Sequence, residues 1–297
     1  MTITDNATLS DRETRGLLLG FAGVAMFSAS LPFTHVAVRE FGVLFPSFGR
    51  AVIAGCLAAI VLRVTSTPRP PRALWGRLAF VVGGVVVGFP AFSGLALQHA
   101  PAGHGSVVIG LLPAATAGFS VLRTGARPSR RYWAFAALGA AAIAVLTAAR
   151  GSASIALGDA YLLGAVGAAA IGYTEGAIVS SEIGGWQTIS WAVVMALPLT
   201  IVLTIVGLQP VGFDEPATAW ISLAYLGAVS MFLGFFAWYA GLAMGGIARV
   251  SQVQLLQPVL SLVWARIFLG EHLDVLIVAV ALVVLVSVAG SRRSAIA

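Results

Sequence analysis

A chain of 297 residues with 59% hydrophobic and 9% charged residues is too apolar for a water-soluble domain, in which about 25% of residues are charged. Its mean hydropathy is +0.97, so we expect a polytopic membrane protein. The net charge of +6 arises from 17 arginines without lysine, and most of these arginines flank apolar runs. That arrangement is typical of membrane topology signals and argues against a nucleic-acid-binding surface. The single cysteine, Cys56, excludes an intrachain disulfide.

Ten apolar runs each approach the length of about 20 residues with which a helix spans a bilayer. We number these predicted helices α1 to α10 in chain order. The first run lacks the layout of a cleaved signal peptide, so we expect α1 to be retained. The predicted spans are 16–38, 44–63, 74–98, 102–122, 131–149, 158–180, 186–207, 217–243, 247–268 and 272–290.

The arginines predict the orientation of the helices, because basic residues concentrate on the cytoplasmic side of a membrane. With a cytoplasmic N-terminus, thirteen of the 17 arginines fall on cytoplasmic segments. Arg39, Arg150 and Arg266 fall on the opposite side, and Arg50 lies within α2. We therefore expect both termini in the cytoplasm and place the protein in a bacterial cytoplasmic (inner) membrane.

The second half of the chain repeats features of the first half at an offset of 145 residues. We therefore predict two five-helix halves, residues 1–150 and 151–297. Because five is odd, the halves would insert with opposite orientation, an inverted repeat that is typical of transporters with a site between the halves. The aligned pairs are Ser106 with Ser251, Pro113 with Pro258, Thr116 with Ser261, and Phe119 with Trp264.

A stripe of polar side chains runs along α9 at spacings of three and four residues, which places them on one helical face. It comprises Ser251, Gln254, Gln257, Pro258, Ser261 and Trp264. Buried amides and hydroxyls need polar partners, so we expect this face to point to protein or to a cavity. In α4, Ile109 and Leu112 stand where α9 has Gln254 and Gln257. The shared positions are therefore assigned to architecture and the glutamine pair to the substrate.

The end of α9 reads Ala248, Ser251, Pro258 and then Leu269-Gly270-Glu271, a pattern that resembles the drug/metabolite transporter (DMT) superfamily and its EamA-type exporters. The first half departs from it, because Thr124-Gly125-Ala126 has no acid where that family has Leu-Gly-Glu. The resemblance implies an all-α membrane fold of ten helices in a 5+5 inverted repeat. Within the family the chain is similar to YddG-like amino-acid exporters, which implies export through a central cavity lined by α1, α3, α4, α6, α8 and α9.

Two ionisable residues, Arg50 and Glu175, lie within predicted helices and are possible charge partners of a substrate. Arg50 either extends to the outer interface or attracts a substrate carboxylate. Glu175 either stays hydrated near the cytoplasmic mouth or meets a proton or a substrate ammonium group. For Glu271, at the end of the family pattern, we expect loop capping.

Aromatic residues of α3, α6 and α8 can wall a cavity for apolar or aromatic side chains, or else face lipid. In α1, Ser28 lies one turn before Pro32, where a bend exposes backbone carbonyls to a ligand or serves packing alone. Pro113 and Pro258 are candidate hinges. The candidate substrate-binding residues are Gln254, Gln257, Ser251, Ser28, Phe92, Tyr173, Trp238 and Tyr239.

We therefore predict an exporter of small organic solutes, most of all amino acids, aromatic ones included, that works by alternating access. It is expected not to be an enzyme and to need no cofactor or metal, since HExxH, CxxC and GxxxxGK[ST] patterns are missing from the sequence. Its partners would be the lipid bilayer and the solute, with a proton as a candidate coupling ion and no nucleic acid. The alternatives are a multidrug or other metabolite exporter of the same superfamily and an integral-membrane lipid-processing enzyme.

Overall fold

The structure, a computed structural model, describes residues 3–124, 129–150, 153–208, 211, 214–245 and 250–294. Within these ranges the chain forms helices, turns and loops without a strand, which confirms the predicted all-α class. Five of the ten predicted helices are continuous: α2 Leu44–Val64, α5 Arg130–Arg150, α6 Ala153–Ile183, α7 Gly185–Leu208 and α10 Val275–Ser294. The family pattern's Gly125, Ala126 and Ala248, and the topology arginines Arg127 and Arg249, lie outside the described residues.

The other five helices are interrupted. α3 and α8 each contain a π-helical stretch, and such stretches occur often at functional sites. α4 breaks at Gly110 and Leu111, just before Pro113, and α9 changes from a 3-10 turn to an α-helix just before Pro258. The segments are α1 Ile3–Ser28 and Ser30–Phe41; α3 Arg72–Leu74, Trp75–Val81, Val82–Gly88 and Phe89–Ala96; α4 Ala102–Ile109 and Leu112–Thr124; α8 Ala217–Ala224, Tyr225–Leu233 and Gly234–Gly245; and α9 Ser251–Leu256 and Gln257–Leu269.

The break in α1 at Ala29 follows from Pro32. Proline has no backbone N–H, so the carbonyl of Ser28 loses the hydrogen bond that residue 32 would otherwise donate. The hydroxyl of Ser261 in α9 donates to this carbonyl instead, at 2.6 Å. The indole N–H of Trp264, one turn further along α9, donates to the Ser28 hydroxyl at 2.9 Å. These two hydrogen bonds therefore join α9 to α1 at the bend.

Seven helices of the described chain are long and apolar enough to cross a bilayer, and the apolar stretches of α5, α9 and α10 are shorter. On the outward face of α7, large apolar side chains such as Leu199, Val202 and Ile205 are about half exposed. A contiguous apolar surface of this kind is expected where lipid, not water, surrounds the protein.

The helices pack in related pairs: α1 against α8, α3 against α6, α2 against α7, and α5 against α10. Glycines allow two of these pairs to touch at backbone distance, as is usual between membrane helices. A Cβ atom on Gly84 of α3 would lie 2.3 Å from the carbonyl oxygen of Ala168 in α6. A Cβ atom on Gly241 of α8 would lie 2.7 Å from the backbone nitrogen of Gly20 in α1. The division at residue 150 and the opposite insertion of the halves stay predictions.

Candidate functional site

The centre of the bundle contains a small cavity between α1, α2, α3, α6, α8 and α9. It encloses about 30 Å³. One water molecule needs about 10–15 Å³ of such a volume. The cavity therefore has room for two or three waters and is too small for a larger solute. Its lining residues are Phe27, Ser30, Leu31, Arg50, Val85, Phe89, Ala169, Tyr173, Ser230, Met231, Phe235 and Gln257.

Arg50 is the charged residue of this cavity wall. It is 3% exposed, so its side chain stays in the protein interior and does not extend to the outer interface. Its Nη2 donates to the hydroxyl of Ser230 at 2.9 Å, and this hydroxyl shares a 2.6 Å hydrogen bond with that of Ser30. Its Nε has no hydrogen-bond partner among the described residues. A buried guanidinium with spare donors attracts an anionic group such as a carboxylate.

Aromatic rings form the opposite part of the wall. Phe27 and Phe235 lie 4.8 Å apart between ring centroids, and Tyr173 and Phe235 lie 5.9 Å apart. Phe89 of α3 completes the lining. Tilted and edge-on aromatic pairs at such distances pack apolar side chains well, and their faces also accept a cation. The cavity therefore offers a positive charge and an aromatic surface at the same place.

The two glutamines of α9 occupy a gap of about 10 Å³ between the breaks of α4 and α9. Gln257 lies in the lining of the central cavity as well, whereas Gln254 reaches the neighbouring vestibule described below. Both side chains are buried, yet Gln254 Nε2 and Gln257 Oε1 have no hydrogen-bond partner in the described part of the chain. Pro113 and Pro258 line the same gap. The side chain of Ser251 lies outside the described residues.

A second and larger space, the vestibule, opens toward the predicted cytoplasmic side and measures about 140 Å³. Tyr173 lines both the vestibule and the central cavity and therefore borders the two spaces. The other lining residues are Thr116, Ser120, Arg123, Thr174, Ala177, Ile178, Trp238, Leu242 and Gln254.

Two arginines hold the carboxylate of Glu175 beside this vestibule. Arg77 Nη1 of α3 lies 2.6 Å from Glu175 Oε2, and Arg123 Nε of α4 lies 2.7 Å from Glu175 Oε1. The carboxylate is 2% exposed, whereas the arginine side chains are 35% and 48% exposed. We call Arg77, Arg123 and Glu175 the inner cluster. It joins α3, α4 and α6 at the predicted cytoplasmic end of the pathway.

At the predicted outer side of the bundle lie His104, Asp159 and Glu271, which we call the outer cluster. His104 Nε2 of α4 is hydrogen-bonded to Asp159 Oδ1 of α6 at 2.6 Å, and both side chains are buried. The backbone N–H groups of Ala102 and Gly103 donate to the two carboxylate oxygens of Glu271 at 2.9 and 2.8 Å. Loop capping was expected of Glu271, but its carboxylate caps the first turn of α4, a helix in the other half of the chain.

Three candidate residues lie away from both spaces. Ser28 is fully buried in the contact of α1 with α9, where its hydroxyl donates to the carbonyl oxygen of Ala25. Phe92 is 38% exposed on the outside of the bundle, one turn beyond the cavity residue Phe89. Tyr239 is fully buried against Phe235, with ring centroids 5.4 Å apart. None of these three lines the central cavity or the vestibule in the described structure.

Among the residues of the central cavity and the inner cluster that the sequence analysis did not name are two serines and two arginines. Ser30 and Ser230, 200 residues apart, meet beside Arg50, and nothing in their local sequence indicates this contact. Arg77 and Arg123 look like ordinary topology arginines at helix ends. The useful signal was Glu175 itself, because a carboxylate within an apolar helix requires a positive partner from another helix.

The comparisons with known proteins agree with this architecture. The model of the EamA-like transporter family matches the chain twice, over residues 14–148 and 156–293. A Bacillus subtilis (strain 168) protein described as "Uncharacterized transporter YdeK" is 44% identical over 285 residues, which are 96% of this chain and 99% of the relative. One solved crystal structure is similar with a TM-score of 0.67 and 18% identity, over 95% of this chain and 98% of the solved chain. At that identity it shows the fold alone.

Proposed function

Because this chain belongs to the EamA-like transporter family, we propose that it exports amino acids across the bacterial cytoplasmic membrane. The chain is a multi-pass integral membrane protein, and its family transports small solutes. The amino-acid substrate, the outward direction and the cytoplasmic termini are the proposed part. The bias of arginines toward one set of helix ends supports the orientation.

The observation that carries the proposal is the central cavity, where Arg50 and two serine hydroxyls lie beside aromatic rings. An amino acid presents a carboxylate, an ammonium group and a side chain. The carboxylate fits Arg50 with Ser30 and Ser230, and the ammonium group fits the faces of Tyr173 or the free amide oxygen of Gln257. The phenylalanines suit an apolar or aromatic side chain. Opposite charges on the substrate also balance the buried arginine, which lowers the penalty of burying either.

Transport requires movement, because a cavity of about 30 Å³ is smaller than an amino acid. The inner and outer clusters close its two ends. The proline-associated breaks in α4 and α9 face each other across the glutamine gap, so Pro113 and Pro258 are suited to act as hinges. Opening one end while the other stays closed constitutes alternating access. Gln254 in the vestibule and Gln257 in the cavity would offer the substrate hydrogen bonds along the way.

The test is efflux of a panel of labelled amino acids from proteoliposomes, with and without a pH gradient. We expect flux of amino acids with apolar or aromatic side chains, and Arg50→Gln should raise the KM about tenfold or more, since a charge-assisted hydrogen bond to a buried group is worth ~1.5–3 kcal/mol. Stimulation by the pH gradient would identify the proton as the coupling ion.

The matched control is Ser190→Ala, a buried hydroxyl of α7 that lines neither space and should leave the KM unchanged. Flux of no amino acid by the wild-type protein would contradict the proposal. Flux of uncharged drugs or other metabolites in the same vesicles would favour the other exporters of the superfamily.

A further inference from the structure

The inner cluster carries more positive than negative charge. Glu175 supplies one carboxylate, and Arg77 and Arg123 supply two guanidinium groups. Among the described residues, the lining of the vestibule contains Arg123 and no acidic residue. The cluster therefore has one positive charge to spare beside a space of about 140 Å³. A half-exposed excess positive charge next to a cavity favours an anionic ligand.

The two arginines differ in their position. Arg77 donates a hydrogen bond to Oε2 of Glu175, and Arg123 donates one to Oε1. Arg123 lines the vestibule and its side chain is 48% exposed, whereas Arg77 is outside the vestibule lining. Glu175 can therefore release Arg123 and still keep a partner in Arg77. A carboxylate in the vestibule would meet Arg123 first.

We propose that Arg123 is a docking site for the carboxylate of the substrate, which displaces Glu175 Oε1 from Arg123 and so opens the inner end of the pathway. This inference rests on the proposed function, because it needs a substrate that has a carboxylate. The displacement exchanges one carboxylate for another at the same guanidinium. Glu175 keeps Arg77, so no charge is left unpaired in the protein interior.

The consequence for the central cavity follows from α6. Tyr173, which borders both the vestibule and the central cavity, lies two residues before Glu175 on the same helix. The contact of Glu175 with Arg123 ties α6 to the end of α4. Loss of this tie lets α6 and Tyr173 move relative to α4. The substrate carboxylate then passes from Arg123 to Arg50, the next guanidinium on the way.

A ligand shifts a conformational equilibrium only if it binds one state better than the other. The free carboxylate of an amino acid binds Arg123 only after Glu175 has left, so it stabilises the open state. The corresponding amino-acid amide lacks the negative charge and has no such preference. Comparing an amino acid with its amide therefore isolates the role of the carboxylate.

The first arm of the experiment measures the KM for efflux of the best amino acid of the panel and of its amide. We expect the amino acid to have a KM at least about tenfold lower than the amide, because Arg50 and Arg123 both bind the carboxylate. Arg123→Gln should reduce this difference about two- to fivefold, as for a half-exposed charge pair. Arg63→Gln, the matched control, removes an exposed arginine that lines neither space and should leave the ratio of the two KM values unchanged. Arg123→Lys keeps the charge and should preserve part of the difference.

The second arm measures opening directly. In a Cys56→Ser background, Ala169→Cys places a thiol in the wall of the central cavity, and a membrane-impermeant maleimide reports its access from the vestibule. We expect the amino acid, but not its amide, to accelerate labelling severalfold, and Arg123→Gln to abolish this acceleration. Arg123→Gln lacks the tie to Glu175, so it should label fast with or without the amino acid, and thermal unfolding in detergent verifies that each variant is folded.

The outcomes are distinguishable. If the wild-type protein transports no amino acid, the proposed function fails and this inference fails with it. If amino acids are transported but Arg123→Gln keeps the wild-type ratio of the two KM values, the docking site alone is overturned. Equal acceleration of labelling by the amino acid and by its amide would overturn it as well.

Discussion

The inner and outer clusters join the helices at the two sides of the bundle by different kinds of contact. At the outer cluster, the side chains of His104 and Asp159 are buried and 2.6 Å apart, and Glu271 caps the first turn of α4. At the inner cluster, the buried carboxylate of Glu175 is held by arginines that are 35% and 48% exposed. Both clusters join α4 to α6, the outer one by a contact that is buried from water and the inner one by a contact that water partly reaches.

The difference indicates which end opens more easily. Ion pairs that water reaches contribute little, about 0–1 kcal/mol, because water and salt replace them. A buried polar contact is hard to break, since each group left unpaired loses ~1–3 kcal/mol. The vestibule of about 140 Å³ also lies at the inner end. We therefore expect the outer cluster to stay in place more firmly and the inner cluster to open more easily.

The largest effect is expected at the buried contact of the outer cluster. His104→Ala removes the ring that pairs with Asp159 and leaves a void between α4 and α6, so the free energy of unfolding should fall by about 1–3 kcal/mol. Thermal unfolding in detergent measures this. The exposed His272→Ala is the control and should unfold as the wild-type protein does. Equal stability of His104→Ala and the wild-type protein would contradict the expectation that the outer cluster stays in place more firmly than the inner cluster.

The cap that Glu271 provides should have an intermediate effect. Glu271→Ala leaves the first N–H groups of α4 without their acceptor and should cost about 1 kcal/mol, whereas Glu271→Gln keeps one acceptor and should cost less. Hydrogen exchange at Ala102 and Gly103 reports the cap directly. Asp274→Ala is the matched control, because Asp274 accepts from Ile277 N–H in α10 and should leave these two amides protected. Faster hydrogen exchange in Asp274→Ala as well as in Glu271→Ala would mean that the loop as a whole, not the cap, protects α4.

The smallest effect is expected from salt. Raising NaCl from about 0.1 to 1 M shortens the Debye length from ~10 to ~3 Å and should weaken the half-exposed inner cluster alone. Labelling at Ala169→Cys should then accelerate about two- to fivefold, the equivalent of an exposed ion pair. Glu175→Gln, which lacks the ion pairs, should label fast at both salt concentrations. Salt dependence that persists in Glu175→Gln would mean that other charges close the inner end.

Much of the fold was predictable because the bilayer imposes simple rules on the sequence. The ten helices were placed to within a few residues at most ends, since apolar length and arginine-flanked breaks define them. The exceptions are instructive. α1 was expected to begin at residue 16, but the helix runs from Ile3, and the breaks in α3 and α8 take the form of π-helical stretches. Neither feature has a signature in the apolar pattern.

The candidate site was predicted in part. The glutamine pair of α9 and Tyr173 of α6 line the two spaces, because periodicity and polarity in an apolar helix point to the interior. Phe92 is 38% exposed and lines neither space, whereas Phe89 one turn earlier lines the central cavity. Ser28 lies in a helix contact, because the carbonyl that Pro32 frees is taken up by Ser261.

The sequence by itself determined that this chain is a bundle of membrane helices with a polar interior, because apolar length, arginine placement and isolated charges each have one physical interpretation in a bilayer. The tertiary structure decided which charges meet. Arg50 is hydrogen-bonded to Ser230, and Glu175 is paired with Arg77 and Arg123, across sequence separations of 180, 98 and 52 residues. A buried charge states only that it needs a partner; the packing of helices around prolines and glycines decides which partner comes within reach.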